Sequence, residues 1–220
     1  MIAGSFDNYL SCRFVIIVPK MSRIISMIFA GLLFFPSQSR AKTRERMLLH
    51  SLESVILPSA DGKSDTLASV EHHKATVFVF VSSECPISNS YMPLLSKLCI
   101  EFAEKDIAFF GVIADPGETS QEAKKFASDY QFPRDMLMDA KQDLTLLLSA
   151  HITPEVIVVS RSGKIEYDGR IDDRFVALGK SRVKALHHDL HDALENIAEG
   201  KKVTNPKTKV IGCAIPIIEK

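Results

Sequence analysis

Cys85 stands where the sequence changes character. The apolar run Thr76–Val81 ends at Ser82-Ser83-Glu84, and from Pro86 onward Ile87, Tyr91, Leu94, Leu95, Leu98 and Phe102 keep helical spacing. A cysteine between a strand and a helix N-terminus meets unpaired backbone N–H groups and the positive end of the helix dipole. Both stabilise an anion, so its pKa falls, and the thiolate is the nucleophilic form. Ser88, three residues on, can donate its hydroxyl to the sulfur. The competing reading is a buried structural cysteine. The neighbours Glu84 and Pro86, in a loop after a strand, speak against burial.

The remaining cysteines divide by position. Cys99 lies fourteen residues beyond Cys85 on the same expected helix, about 21 Å away at 1.5 Å per residue and outside disulfide reach. It joins the Leu95 and Phe102 stripe and reads as core. Cys213 sits in a tail with Pro206 and Pro216 and is free to fold back. It is a resolving thiol, a structural disulfide partner or an idle tail thiol. Cys12 belongs to a segment expected to be removed. Three cysteines are too few for a disulfide framework, and no two are spaced as a zinc knuckle. An odd number leaves at least one free or transiently paired. His187 and His191 have the i, i+4 spacing of a helix-face metal pair, with His188 beside them, but no carboxylate or cysteine in the sequence completes a set. A solvated helix face accounts for them, and neither metal nor cofactor is expected.

The elements that must position these residues follow from patterning. Thr76–Val81 and Ile107–Ala114 are continuous apolar runs, as in strands covered on both faces. Thr119-x-x-Glu122 is a capping box opening a helix to about Tyr130. Met136–Met138 reads as a short strand and Leu144–Leu148 as a short helix. Pro154 introduces the buried strand Val156–Val159, and a turn at Arg161–Lys164 leads into an alternating edge strand at Ile165 and Tyr167, forming a hairpin. A last helix carries Leu186, Leu190, Ala193, Leu194 and Ile197 and stops at Gly200. The order β-α-β-α, an inserted strand and helix, then β-β-α makes a three-layer α/β domain: a mixed central sheet with helices on both faces. The organisation expected is an extension and leader over 1–41, a loose polar lead-in over 42–53, the domain over 54–200 and an irregular tail over 201–220.

The leader is read from Met21 onward. Arg23 precedes the apolar run Ile24–Phe35, Pro36 breaks it, and Ser39-Arg40-Ala41 puts small residues at both positions a signal peptidase needs. Residues 1–20 read as an upstream extension. Cleavage after Ala41 would export the protein to the periplasm or medium; an uncleaved anchor is the alternative. The whole chain has 27 basic and 27 acidic residues. Residues 1–41 hold four of the former and one of the latter, so the remainder is mildly acidic. Such a balance offers no basic patch for nucleic acid, and nothing after Phe35 is long and apolar enough to span a bilayer.

VFVSSECPISNSYMPLL resembles the active-site strand, loop and helix of thioredoxin-like redoxins, the superfamily of the alkyl hydroperoxide reductase and thiol-specific antioxidant proteins. Ile152-Thr153-Pro154-Glu155-Val156 resembles their cis-proline segment. Tyr167–Arg174 and Gly212-Cys213-Ala214-Ile215 look like an exported bacterial branch. The resemblance spans roughly residues 53–216 and implies a thioredoxin-like fold, with Thr153 and Pro154 opposite Cys85 and the backbone before Pro154 available to a substrate. Two departures matter. Ser88 replaces the second cysteine of Cys-x-x-Cys, so no neighbouring thiol can release a mixed disulfide. Phe78 replaces the proline that peroxiredoxins carry seven residues before their cysteine, while Ser82 fits their Thr or Ser three before it. The favoured expectation is thiol–disulfide exchange with protein thiols and disulfides or small thiols, with Cys85 attacking. A thiol peroxidase acting through a Cys85 sulfenic acid and a non-catalytic copper-delivery module are the alternatives. With Ser88 in the local position and Cys99 out of reach, either Cys213 or an external thiol must close the cycle; the thirteen residues from Gly200 to Cys213 can cross a domain of this size.

Overall fold

The computed structural model describes residues 36–134 and 136–218. The chain divides into two compact units, Met1–Ala41 and Lys42–Lys220. Of the first, only 36–41 are described, as the start of a helix, and the expected leader's apolar run lies outside the described residues.

β1 (Ile56–Pro58) and β2 (Ser64–Thr66) form a small antiparallel pair of their own. The central sheet is built from β3 (Ala75–Val81), β4 (Ile107–Ile113), β5 (Met136–Met138), β7 (Glu155–Ser160) and β8 (Ile165–Gly169), in the order β5-β4-β3-β7-β8. β3–β4 and β4–β5 pair in parallel, whereas β3–β7 and β7–β8 are antiparallel. The two-sided apolar runs have a direct explanation. Val77, Val79 and Val81 of β3 face one core, and Phe78 and Phe80 face another. The first core is filled by α2 (Pro86–Ala103), α3 (Ser120–Asp129) and α5 (Asp189–Ala198). The second takes α1 (Pro36–Ser54), the 3-10 turn Leu67–His72 and α4 (Asp143–Leu148). Opposite sides of each central strand are thus buried, which is why alternation is lost. The capping box at α3 forms as read: Thr119 Oγ1 accepts from Glu122 N, and Glu122 accepts from Thr119 N.

Several expectations need correction. Residues 42–53 are not a loose lead-in but part of α1, which holds Leu52 fully buried with Leu48 and Leu49 beside it. Good helix formers supply the local preference, and one leucine stripe against the second core makes the helix worthwhile. The turn at Gly163 closes under this helix. It needs a positive φ of 83°, and a Cβ there would stand 2.1 Å from Glu45 O. The last helix begins at Asp189, leaving Leu186 and His187 before it, so His187 and His191 do not share a helix face. Leu186 is 70% exposed. An additional antiparallel pair, β9 (Phe175–Ala177) with β10 (Lys180–Ser181), interrupts the chain between β8 and α5. The tail is not wholly irregular: β11 (Cys213–Ala214) pairs antiparallel with β6 (Ile152–Thr153). No helix among the described residues is long and apolar enough to cross a membrane.

Candidate functional site

β3 delivers the chain to Ser82 at the C-terminal end of the sheet, and a tight turn carries it into α2. Ser82 O accepts from Cys85 N at 3.2 Å, and Ser82 Oγ accepts from Glu84 N at 3.2 Å. The Glu118 carboxylate, 9% exposed, accepts from Ser83 N. These contacts hold Cys85 as the extended residue immediately before the helix, with Pro86 in the first turn where a missing N–H is harmless.

A second turn meets it from the head of the neighbouring strand, β7. The Thr153–Pro154 peptide is cis. Glu155, mostly buried, accepts from His151 N at 2.8 Å and Ile152 N at 3.3 Å, tying the segment ahead of the proline into shape. Burial pushes the Glu155 carboxyl above its usual range, despite those donors. Cys85 Sγ lies 3.2 Å from Thr153 O.

The third component is the tail. With Cys213 paired to Thr153 in β11–β6, Cys213 Sγ stands 2.7 Å from Cys85 Sγ, and both cysteines are free thiols. The structure therefore brings Cys85, Thr153, Pro154 and Cys213 together. Ser88, fully buried one turn into α2, accepts from Ser82 N at 3.5 Å, and its hydroxyl hydrogen serves the sulfur. Cys99 is buried in the core as expected, and burial raises its pKa.

One local expectation fails: Cys85 is only 2% exposed. Glu84 and Pro86 predict an open loop, but Thr153 and the tail close over the sulfur, and neither is a sequence neighbour. Burial alone would raise the Cys85 pKa. Hydrogen bonds from Cys213, from the Ser88 amide and hydroxyl, and from Thr153 outweigh it and bring the net value down. Cys213 goes the other way, to about 11, through burial and then through the hydrogen bond and charge of Cys85. The pair thus holds its protons unequally: Cys85 is the thiol that ionises first, and Cys213 keeps its hydrogen to higher pH.

Other residues of the site had no local sequence signature. Gln142, 2% exposed, donates from Nε2 to Ala114 O at 3.1 Å and to Pro216 O, and accepts from Ile218 N at 3.1 Å. One amide thus clasps the tail beyond Cys213. A cleft of about 230 Å³ opens beside the sulfurs, lined by Ser82, Glu84, Asp115, Ile215 and Pro216 as well. Among the described residues, no basic side chain lines it. Arg170 pairs with Asp189 at 2.8 Å and Arg161 with Asp106 at 3.5 Å, so both guanidinium groups are engaged elsewhere.

The histidine expectation also changes. Two carboxylates reach His191, Glu195 from one turn on along the same helix and Glu101 from α2, a distant element in sequence; their ligand atoms and that of the ring lie within 4.8 Å of one another. The Lys105 ammonium already sits 2.5 Å from Glu195 and 4.0 Å from Glu101. The cluster is charge-compensated by its own lysine.

Comparison with known proteins agrees with this architecture. Residues 50–168 match the model of the AhpC/TSA family. A hypothetical protein of Sinorhizobium meliloti is similar at 26% identity and a TM-score of 0.68, over 76% of this chain and 92% of that one. An uncharacterized conserved protein of Geobacillus kaustophilus gives 24% identity and 0.68, over 75% and 89%. A secreted Mycobacterium tuberculosis disulfide oxidoreductase, described as homologous to E. coli DsbE, shares the fold at 16% identity and a TM-score of 0.50, over 69% and 98%. No curated protein matches the chain.

Proposed function

The chain belongs to the AhpC/TSA family and has a thioredoxin-like fold, and from that premise we propose that it is an exported thiol redox protein in which Cys85 attacks and Cys213 resolves. One observation carries the reading: the two sulfurs, 128 residues apart in sequence, stand 2.7 Å apart, within about 0.7 Å of a disulfide bond length.

The electrostatics suit this division of labour. Cys85 is the thiol that ionises first, so it is the sulfur that attacks a substrate disulfide, and the substrate's second sulfur leaves. Once Cys85 is bonded to substrate, its charge is gone. Two of the three causes that hold Cys213 protonated are the charge and hydrogen bond of Cys85. Both vanish in the mixed disulfide, and the Cys213 pKa falls toward its ordinary value. Cys213 then loses its proton to solvent, attacks Cys85 Sγ and displaces the second substrate thiolate. The resolving sulfur is activated by consumption of the first.

The same geometry weighs against the alternatives. Two thiolates sharing one tetrahedral metal ion at about 2.3 Å stand roughly 3.7 Å apart, wider than the observed separation. A peroxide reaching Cys85 would find two carboxylates and no guanidinium in the cleft to draw charge off the breaking O–O bond.

Peptide mapping without reductant tests the pairing: mild oxidation should yield a peptide joining Cys85 and Cys213. If no such peptide forms and Cys213→Ser turns over at the unaltered rate, Cys213 is idle and an external thiol resolves. Export rests on Arg23, the apolar run Ile24–Phe35 and Ser39-Arg40-Ala41. Cleavage after Ala41 would retain residues 42–54 of α1 with all three of its packed leucines. N-terminal sequencing of the protein from cells should find Lys42 first; an intact apolar run would replace the exported form with an anchored one.

A further inference from the structure

The tail does more than bring in a sulfur. β11 occupies the backbone edge of β6 beside Cys85, with Cys213 opposite Thr153 and Ala214 opposite Ile152, and Ile215 N donating to His151 O at 2.9 Å. The approach is close: a Cβ on Gly212 would lie 2.1 Å from Thr153 O. The strand is held on both sides. Beyond it, Ile215 is buried in the second core and Gln142 clasps Pro216 and Ile218. Before it, Thr208 N donates to Asp168 O at 3.1 Å and Thr208 Oγ1 accepts from Arg170 N at 3.0 Å. A polypeptide recognised by strand addition needs a free edge, and here the edge nearest the sulfur is taken by the chain itself.

What stays open is the cleft of about 230 Å³. That is smaller than the roughly 300–1,000 Å³ that hold drug-sized ligands. Its charged groups are Glu84 and Asp115, with no lysine or arginine among the lining residues. Size excludes a bulky disulfide, and charge disfavours an anionic one.

Resting on the redox pair proposed above, we propose that its substrates are small disulfides of the cationic, aminothiol class, in preference to polypeptide disulfides or anionic small ones. The chemistry balances without another reactant. Cys85 thiolate attacks one sulfur of R–S–S–R, and RS⁻ leaves. Cys213 gives up its proton and attacks Cys85 Sγ, and the second RS group leaves. Two electrons pass from the protein to the substrate, giving one Cys85–Cys213 disulfide, one RS⁻ and one RSH.

The test uses the reduced full chain, with formation of the Cys85–Cys213 peptide followed by acid quench and mass spectrometry. The probes are cystamine (cationic), 2-hydroxyethyl disulfide (neutral), dithiodiglycolate (anionic) and a disulfide-closed polypeptide. Each rate is divided by that of a free model thiol, to remove intrinsic reactivity. Normalised rates should fall in that order for the three small probes. The cationic and anionic extremes should differ by on the order of tenfold or more at low salt, as expected for unit charges several ångströms from two carboxylates. The spread should narrow at high salt and in the Glu84→Gln/Asp115→Asn double variant. The polypeptide should trail cystamine by about tenfold, and Gln142→Ala, which loosens the tail, should close that gap. An anionic probe as fast as cystamine, or a polypeptide faster than it, overturns the substrate class and leaves the redox pair standing. Failure of every probe to join Cys85 to Cys213 overturns the pair itself.

Discussion

Replacing Cys213 with alanine should raise the pKa of Cys85 and slow its labelling at a pH below the midpoint by about tenfold. In the reduced protein the Cys213 thiol is the foremost of the groups that lower the Cys85 pKa against burial. A hydrogen bond to a charged group contributes about 1.5–3 kcal/mol, and a sulfur donor, being weak, sits at or below the lower end. At about 1.4 kcal/mol per factor of ten, that is about tenfold less thiolate at a pH below the midpoint. Removing one sulfur also admits some water, which works the other way, but Thr153 O still covers Cys85 Sγ at 3.2 Å, so the lost donor dominates. Cys213→Ser keeps a donor and should shift the titration less. The assay is iodoacetamide labelling against pH, quantified on the Cys85 peptide so that Cys99 does not contribute. An unchanged or lowered midpoint in Cys213→Ala would refute the unequal hold on the two protons, and with it the activation of Cys213 on consumption of Cys85.

Gly212→Ala should slow closure of the Cys85–Cys213 disulfide by at least tenfold, because its Cβ would meet Thr153 backbone at 2.1 Å; stopped alkylation with peptide mapping reads this, while labelling of Cys85 persists. The reduced protein should lose stability as pH rises from 9.0 to about 11, because across that window Cys213 is deprotonated when unfolded but still protonated when folded. Thermal melts of Cys213→Ala should show a shallower slope, the remainder coming from Cys99, Tyr91 and Tyr167, whose burial raises their pKa as well. The depressed Cys85 pKa acts oppositely: its contribution grows as pH rises to the unfolded value and is fully present, without further change, above it. Leu52→Ala, at a fully buried site on α1, should cost about 2–5 kcal/mol in denaturant unfolding; a near-zero cost would mean that α1 does not pack as described.

The sheet was legible where both faces of a strand are buried, since Thr76–Val81 has only one reading as a continuous β-branched and aromatic run. The α3 boundary was equally open, because Thr119 and Glu122 satisfy one another within four residues. Elements that exist through distant partners were not. β11 is two residues long and owes its conformation to β6, sixty residues earlier. α1 mixes charges with its leucines, and only the core beneath shows which face counts. The site divides the same way. Cys85 is marked by the strand–helix junction, a local pattern. Gln142, Glu118 and Glu155 act on backbone groups, and a backbone group leaves no trace in the residue types of its neighbours. The burial of Cys85 belongs with them: the atoms that cover it come from positions 153 and 213.

The distance in sequence between the two sulfurs has a consequence of its own. A bond between residues 128 apart turns most of the domain into a ring, threading every strand of the central sheet except the one that leads to Cys85. Denying the unfolded chain that many open conformations favours the folded state by about 5 kcal/mol on the loop-entropy model, a substantial share of an ordinary domain's total stability. Linkage makes the effect mutual: a fold that brings the ends of the ring together stabilises the bond by the same amount. Melting temperature and redox state then become readouts of each other. In a cell, a reductant that opens the ring would also loosen the protein toward proteolysis, so the lifetime of the molecule would record the redox poise of its compartment.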